Sequence, residues 1–320
     1  MKPKQLRILE DISENSMERK SRYRKRLSRR GGRKKRNLKD KVDVRILQTN
    51  CDGFTSKKES VEDIINARET DILLLSDTAL KGKRKVKMKN YFSFAKNRIK
   101  ARGGVATVVA NHLRQHTVKV GEGKEDDDEY IIVRHDHVIP ALNIVNMYGS
   151  QESRTSNDNI TASWERLQKD IDEIILRGEA CLLMGDMNRA VGSDEWGVTG
   201  NKDKVCYGGH LVRNMVKEKN LVILNNIAQG GPWTWIQRGK EHIKSCLDLA
   251  ICSKNLLPFV ERVLIDKNQE FTPRSIVWRK GEFKSVYTDH LPVEILLKDM
   301  PRRNKIQVKS TVWNLGKPVG

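Results

Sequence analysis

Ala180-Cys-Leu-Leu-Met-Gly-Asp-Met-Asn-Arg189 is the stretch on which the reading of this chain turns. An unbroken apolar run reaches Gly185, and Asp186 and Asn188 follow. A short apolar run ended by glycine reads as a buried strand whose carboxyl end opens into a loop. Asp186 and Asn188 stand two apart at that end, so both can face one cleft. A carboxylate able to take a proton or hold a cation then sits beside an amide able to donate to an anionic oxygen. Gly-Asp-X-Asn alone is also an ordinary Asx turn. Its meaning depends on whether the rest of the chain supplies matching groups.

Working outward, Trp164, Leu167, Ile171, Ile174 and Ile175 trace the apolar stripe of a helix over residues 161–177. Before it, Ala141 to Met147 reads as a strand ending at Tyr148. After the opening stretch come a shorter helix marked by Leu211, Val212, Met215 and Val216, and a strand at Leu221 to Leu224. Trp233-Thr-Trp235 alternates and reads as core or cross-strand packing. Ser245 to Cys252 is an apolar strand containing Asp248, a carboxylate that is costly there without a partner. Thr288-Asp289-His290 precedes a final strand at Val293 to Leu297.

The N-terminal half repeats the pattern. Val42 to Thr49 alternates as a strand and turns at Asn50-Cys-Asp52-Gly53, a helix follows over residues 57–68, and Asp71 to Leu75 is a second buried strand ending at Ser76-Asp77-Thr78. Strand, helix, strand is a crossover unit, and open α/β sheets place their chemistry at such strand ends. Lys81, Lys83, Arg84 and Lys85 open a run of six cations in nine residues, suited to a loop that touches phosphates. Val105 to Val109 and Tyr130 to Val133 are further strands, with an acidic hairpin tip at Glu122 to Glu129. His135-Asp-His137 shares one face by strand alternation alone.

Of 320 residues, 61 are Lys or Arg and 41 are Asp or Glu, a formal net charge of +20. That excess implies a polyanionic partner, with nucleic acid first. Ten of the cations lie between Arg22 and Arg36 in a segment around Gly31-Gly32, and such a block repels itself until it meets an anion. Residues 1–41 are accordingly expected to be a disordered basic arm, residues 42–299 one domain, and residues 300–320 a basic linker or tail. The five cysteines form no C-x-x-C pair and several sit in apolar runs, as buried reduced thiols of a nuclear or cytosolic protein do. No apolar run approaches the length of a membrane span, and no membrane partner is expected.

Collected, the strand ends and interiors deliver Asn50, Asp52, Asp77, Tyr148, Asp186, Asn188, Asp248, Asp289 and His290. The carboxylates suffice for a hard divalent cation with oxygen ligands. No nucleophilic serine or cysteine motif and no P-loop stands beside them. The inventory suits metal-assisted attack of water on a phosphodiester.

Seven motifs in order then resemble the endonuclease/exonuclease/phosphatase superfamily: Gln48-Thr-Asn-Cys-Asp-Gly53, Leu75-Ser-Asp-Thr78, Gly103-Gly-Val-Ala106, Asn146-Met-Tyr148, Gly185-Asp-Met-Asn188, Ser245-Cys-Leu-Asp248 and Thr288-Asp-His290. Within it the chain is similar to endonuclease domains of non-LTR retrotransposons, which are related to abasic-site DNA endonucleases. The resemblance implies a four-layer α/β/β/α sandwich of two mixed sheets with outer helices. It implies Mg²⁺, or Mn²⁺, held by Asp52, Asp77 and Asp289. By the same resemblance Asn50 and Asn188 would position the scissile phosphate, and Tyr148 would hold or polarise it. Asp186 would orient or deprotonate water. His290, oriented by Asp248, would contact the phosphate or act as the acid–base partner. It further implies nicking of double-stranded DNA to leave a 3′-hydroxyl for target-primed reverse transcription in the nucleus. Element RNA is a candidate partner of the basic arm, and a reverse transcriptase is expected beyond Trp313-Asn-Leu.

One departure stands out. The family usually has glutamate where this chain has Asp77, which withdraws the carboxylate by one methylene. Displacement by ~1 Å can cost on the order of a hundredfold in rate. A weakened nucleic-acid-binding module is therefore an alternative, as is a same-fold RNA deadenylase or a phosphatase of inositol phosphates or sphingolipids.

Overall fold

The computed structural model describes residues 40–98, 103–123, 129–192, 205–279 and 281–303. The basic segment of residues 22–36 and the tail around Trp313 lie outside them. In chain order, β1 (Lys41–Asn50) is followed by helix α1 (Lys58–Ala67), β2 (Ile72–Ser76), β3 (Tyr91–Lys96), β4 (Val105–Ala110), β5 (Thr117–Glu122), β6 (Glu129–His135) and β7 (Leu142–Tyr148). Then come α2 (Asn157–Leu176), β8 (Ala180–Asp186), α3 (Tyr207–Glu218), β9 (Leu221–Ile223), β10 (Trp235–Ile236), β11 (Lys244–Ser245) and β12 (Asp248–Ser253). Strands β13 (Val260–Ile265), β14 (Arg274–Arg279), β15 (Glu282–Tyr287) and β16 (Val293–Pro301) complete the described fold.

Among the described residues two six-stranded sheets form, one ordered β13-β16-β1-β2-β4-β3 and the other β5-β6-β7-β8-β12-β9. Each holds a parallel pair, β1 with β2 and β7 with β8, within otherwise antiparallel neighbours. The two crossovers are α1 and α2, as the strand–helix–strand patterns require. Helix α2 begins four residues earlier than its apolar stripe suggested, because Ser156 caps it, its Oγ accepting from the Asn159 amide at 3.3 Å.

Side-chain alternation assigns the layers. Val44 and Ile46 of β1, Ile72 and Leu74 of β2, Leu142 and Ile144 of β7, Ala180, Leu182 and Met184 of β8, and Ala250 and Cys252 of β12 all enter one core between the sheets. Leu47, Leu73 and Leu75 face outward against Val61 and Ile65 of α1. Val145, Cys181, Leu183 and Ile251 face outward against Trp164, Leu167 and Ile171 of α2 and Val212 and Met215 of α3. The result is the four-layer α/β/β/α sandwich. Full burial of each Leu or Ile contributes roughly 1.5–3 kcal/mol, ample to offset the polar groups taken into the same interface. Some of those groups bridge the sheets: Asn146 Nδ2 donates to the Ala106 carbonyl at 3.0 Å, and Ser76 Oγ to the Met147 carbonyl at 3.1 Å.

Strands β14 and β15 pair as a hairpin that the sequence reading did not mark, with Trp278 edge-on to Phe283 at 4.6 Å and both exposed. A two-stranded ribbon with no buried face lacks the apolar alternation that marks a strand. Of the two readings of Trp233-Thr-Trp235, the cross-strand one holds: both tryptophans are half-buried, and Trp235 pairs with Ser245 and with His290. Of the five thiols, Cys51, Cys181, Cys246 and Cys252 are buried and Cys206 is half-buried; all are free.

Candidate active site

The same alternation that builds the inner core carries polar residues to its open end. Counting on in twos from Ile46 gives Gln48 and Asn50; from Ile144, Asn146 and Tyr148; from Met184, Asp186; back from Ala250, Asp248. Asp248 and Asp186 are register partners across β12 and β8, and Asp186 also pairs with Tyr148 of β7. Their side chains therefore meet on one face. Gly185 is needed for this close approach: its φ is +152°, and a Cβ there would lie 1.9 Å from the Met147 carbonyl oxygen of the neighbouring strand.

Asp186 is buried in a cage of donors. Asn50 Nδ2 donates to its Oδ2 at 2.9 Å, the Asn188 amide to its Oδ1 at 3.0 Å, and Asn188 Nδ2 to Oδ2 at 3.4 Å. Asn188 Nδ2 also donates to the Gly149 carbonyl at 2.8 Å. His290 Nε2 stands 3.7 Å from Asp186 Oδ2, and His290 Nδ1 lies 2.8 Å from Asp248 Oδ2. Asp248 accepts from Gln48 Nε2 at 2.8 Å, and its backbone amide donates to Thr234 Oγ1 at 2.9 Å. The buried carboxylate is thus partnered on both oxygens.

Electrostatics sort these groups. Burial opposes charge on His290, but the adjacent Asp248 and Asp186 carboxylates outweigh it and hold the imidazole pKa well above its ordinary value. Burial pushes the Asp186 carboxyl up, against the pull of His290 and with the help of the Asp248 charge. Burial, with Asp77 and Asp186 nearby, pushes the Tyr148 phenol up, so it remains a hydrogen-bond donor.

Asn50, Asp52, Asp77, Tyr148, Asp186, Asn188, Asp289 and His290 line one cavity of about 530 Å³. Asp52, Asp77 and Asn188 have φ of 41°, 49° and 49°, left-handed conformations that Asp and Asn tolerate better than most residues. Each lies just beyond a strand, where the backbone turns its side chain across the cavity mouth.

The donor set fits a hard divalent cation. Three carboxylates, Asp52, Asp77 and Asp289, share the cavity with the Asn50 amide, an all-oxygen choice suited to Mg²⁺ or Mn²⁺. Asp77 Oδ1 accepts from the Gly103 amide at 2.7 Å, which fixes that shorter side chain and leaves Oδ2 without a partner among the described residues. Among the described residues, the one trio of acidic or histidine ligand atoms lying within 4.8 Å of one another is Asp186, Asp248 and His290; Asp52, Asp77 and Asp289 share the cavity without converging so closely. Within that trio His290 Nδ1 is hydrogen-bonded to Asp248, while Nε2 stands 3.7 Å from Asp186, an ion-pair distance. The two carboxylates favour the cationic imidazole, which has no lone pair for a metal.

Lys81, Lys83, Arg84 and Lys85 are not brought into the cavity. Lys83, Arg84 and Lys85 line a separate groove with Phe54 and Lys58, while Lys81 pairs through its backbone with Arg98, which does line the cavity. Arg98, Arg154, Trp235 and Arg238 are cavity residues that the sequence reading missed. Arg98 and Arg238 lie outside the strands and helices and Arg154 closes a three-residue 3-10 helix, so none of the three carries a periodic signal. Gln48 was within reach: a polar residue two before Asn50 on the same strand shares its face.

The model of the endonuclease/exonuclease/phosphatase family matches residues 47–290, and the chain belongs to that family of metal-dependent hydrolases. Solved structures of the same fold include the 3′ phosphatase NExo from Neisseria bound to a product DNA hairpin, at 16% identity and a TM-score of 0.59 over 79% of this chain and 98% of that one. The AP endonuclease LMAP from Leishmania major superposes with a TM-score of 0.60 at 13% identity, covering 80% of this chain and 88% of its own. The endonuclease domain of TRAS1, a telomere-specific non-LTR retrotransposon, gives 0.54 at 16% identity, covering 80% and 98%. At such identities the likeness is one of fold. No curated protein sequence matches the chain.

Proposed function

We propose that this chain is a Mg²⁺- or Mn²⁺-dependent endonuclease that nicks double-stranded DNA and leaves a 3′-hydroxyl, as a non-LTR retrotransposon needs to prime reverse transcription. The observation that carries the reading is the Asp248–His290–Asp186 line running into a cavity furnished with Asn50, Asn188 and three further carboxylates. A net charge of +20 favours a polyanion over a small phosphoester. The TRAS1 domain is named as an endonuclease, LMAP as an AP endonuclease, and NExo was captured with DNA, which supports the same substrate class here. On this reading the basic segment of residues 22–36 serves nuclear import or contact with DNA or element RNA.

Asp186 accepts a proton from the attacking water, its carboxylate held in place by Asn50 and the Asn188 amide. His290, kept cationic by Asp248, donates to a phosphate oxygen where negative charge grows. The carboxylates on either side of His290 favour its cationic form, which supports assigning the general base to Asp186. Tyr148 donates its phenolic proton to the same phosphate group, and the amides of Asn50 and Asn188 hold its remaining oxygens. Asp52, Asp77 and Asp289 would hold the divalent ion, which would supply positive charge to the phosphate when bound. The new P–O bond forms as P–O3′ breaks, and the departing O3′ becomes the 3′-hydroxyl on taking up a proton.

A supercoiled-plasmid nicking assay tests this, with Mg²⁺, with EDTA, and with Asp186→Ala and His290→Ala alongside. Metal-dependent nicking that falls by at least about a hundredfold in both variants is expected. Salt-sensitive DNA binding without nicking by the parent protein would overturn the catalytic reading and leave a binding module.

A further inference from the structure

Arg238 stands in the short connection between β10 and β11. That connection is pinned to the site: the Ile236 amide donates to the Asp289 carbonyl at 2.9 Å, and the turn closes through Gln237 to Ile243, also at 2.9 Å. From this anchored base the guanidinium reaches across the cavity mouth. Its Nη2 lies 3.4 Å from Asp52 Oδ2, 3.9 Å from Asp289 Oδ1 and 3.4 Å from the Tyr287 carbonyl. Asp52 comes from the end of β1 and Asp289 from the approach to β16, so one cation joins two carboxylates distant in sequence.

We propose that Arg238 is a resident counter-cation that competes with the divalent ion for Asp52 and Asp289. The inference rests on the reading of those two carboxylates as metal ligands. Two carboxylates converging at a cavity mouth repel one another unless a cation lies between them. Lys57 Nζ also stands 3.9 Å from Asp52 Oδ2, but Arg238 is the cation that spans both carboxylates, and its charge opposes a divalent ion at the same oxygens. The side chain is 56% exposed, so it swings away at little cost in buried contacts. A phosphate oxygen entering the cavity offers the fork of guanidinium donors a planar alternative partner. Nucleic acid therefore draws Arg238 off the carboxylates and raises their affinity for metal. Metal loading is coupled to substrate through one side chain.

Mn²⁺ binding, read from the electron paramagnetic resonance signal of the free ion, tests this without recourse to turnover. Arg238→Gln is expected to bind Mn²⁺ roughly three- to tenfold more tightly than the parent, the scale set by two weak, half-exposed ion pairs. Arg238→Lys, which keeps the charge, is expected to stay near the parent. Asp52→Asn is the control for the site itself. Unchanged or weaker Mn²⁺ binding by Arg238→Gln, with Asp52→Asn weakened, overturns the inference alone. Mn²⁺ binding that ignores Asp52→Asn overturns the metal assignment and the inference together.

Discussion

Replacing Asp248 with Asn keeps the side chain's shape and hydrogen-bonding reach while removing its charge. The magnitude follows from the pair it breaks. At 2.8 Å, His290 Nδ1 and Asp248 Oδ2 attract by about 6 kcal/mol gross at an effective dielectric of ~20. Desolvation of the buried pair takes back much of this, and loss of one member of such a pair is worth about 2–5 kcal/mol net. If most of that loss is felt where His290 meets the phosphate, the rate falls by roughly 10²–10³ at one decade per ~1.4 kcal/mol. The pH profile carries the sign. His290 acts as the protonated form, so the rate declines as pH rises through its pKa, which the two carboxylates hold well above the ordinary value. Without Asp248 the alkaline limb moves down toward about 6.5, and the deficit widens with pH. Single-turnover cleavage of a labelled duplex between pH 6 and 10 measures both effects. A limb that stays in place, or a loss smaller than about threefold at neutral pH, would refute the assignment of His290 as a cationic phosphate contact.

Asp77→Glu restores one methylene toward the cavity; Mg²⁺-supported nicking is expected to rise, by up to about a hundredfold if reach is limiting, and an unchanged rate would show that the Gly103 amide already holds Asp77 where it is needed. Glu294, fully buried on the outer face of β16, accepts from Arg68 at 2.6 and 2.8 Å and from Arg262 at 2.8 Å. Glu294→Ala leaves two guanidinium groups facing each other and is expected to cost about 2–4 kcal/mol in urea unfolding, discounted because both arginines are partly exposed. Nicking under native conditions should be untouched by that change.

Much of the candidate site was legible because strands have a period of two. Asp186 and Asn188 after an apolar run, Asp248 inside one, and Asp289-His290 before another all broke a pattern that burial otherwise enforces. A polar residue in such a place must be partnered, so it announces a site before any contact is known. The loop cations gave no equivalent sign. Lys83, Arg84 and Lys85 look like phosphate ligands in sequence, yet they line a neighbouring groove. Arg238, in an ordinary turn, is the cation that reaches both Asp52 and Asp289.

The sequence by itself determined the crossover units, most of the apolar strands and helix stripes and the identity of the polar residues that interrupt them, since local periodicity depends only on near neighbours along the chain. Tertiary structure alone decided which interruptions meet. Gln48 reaches Asp248 across 200 residues, and Asn50 reaches Asp186 across 136. These contacts depend on the register of β8 against β12 and on the stacking of one sheet over the other, long-range pairings that no periodicity encodes. Loop side chains such as Arg238 are placed later still, by the backbone geometry that the packed sheets impose on the segments joining them.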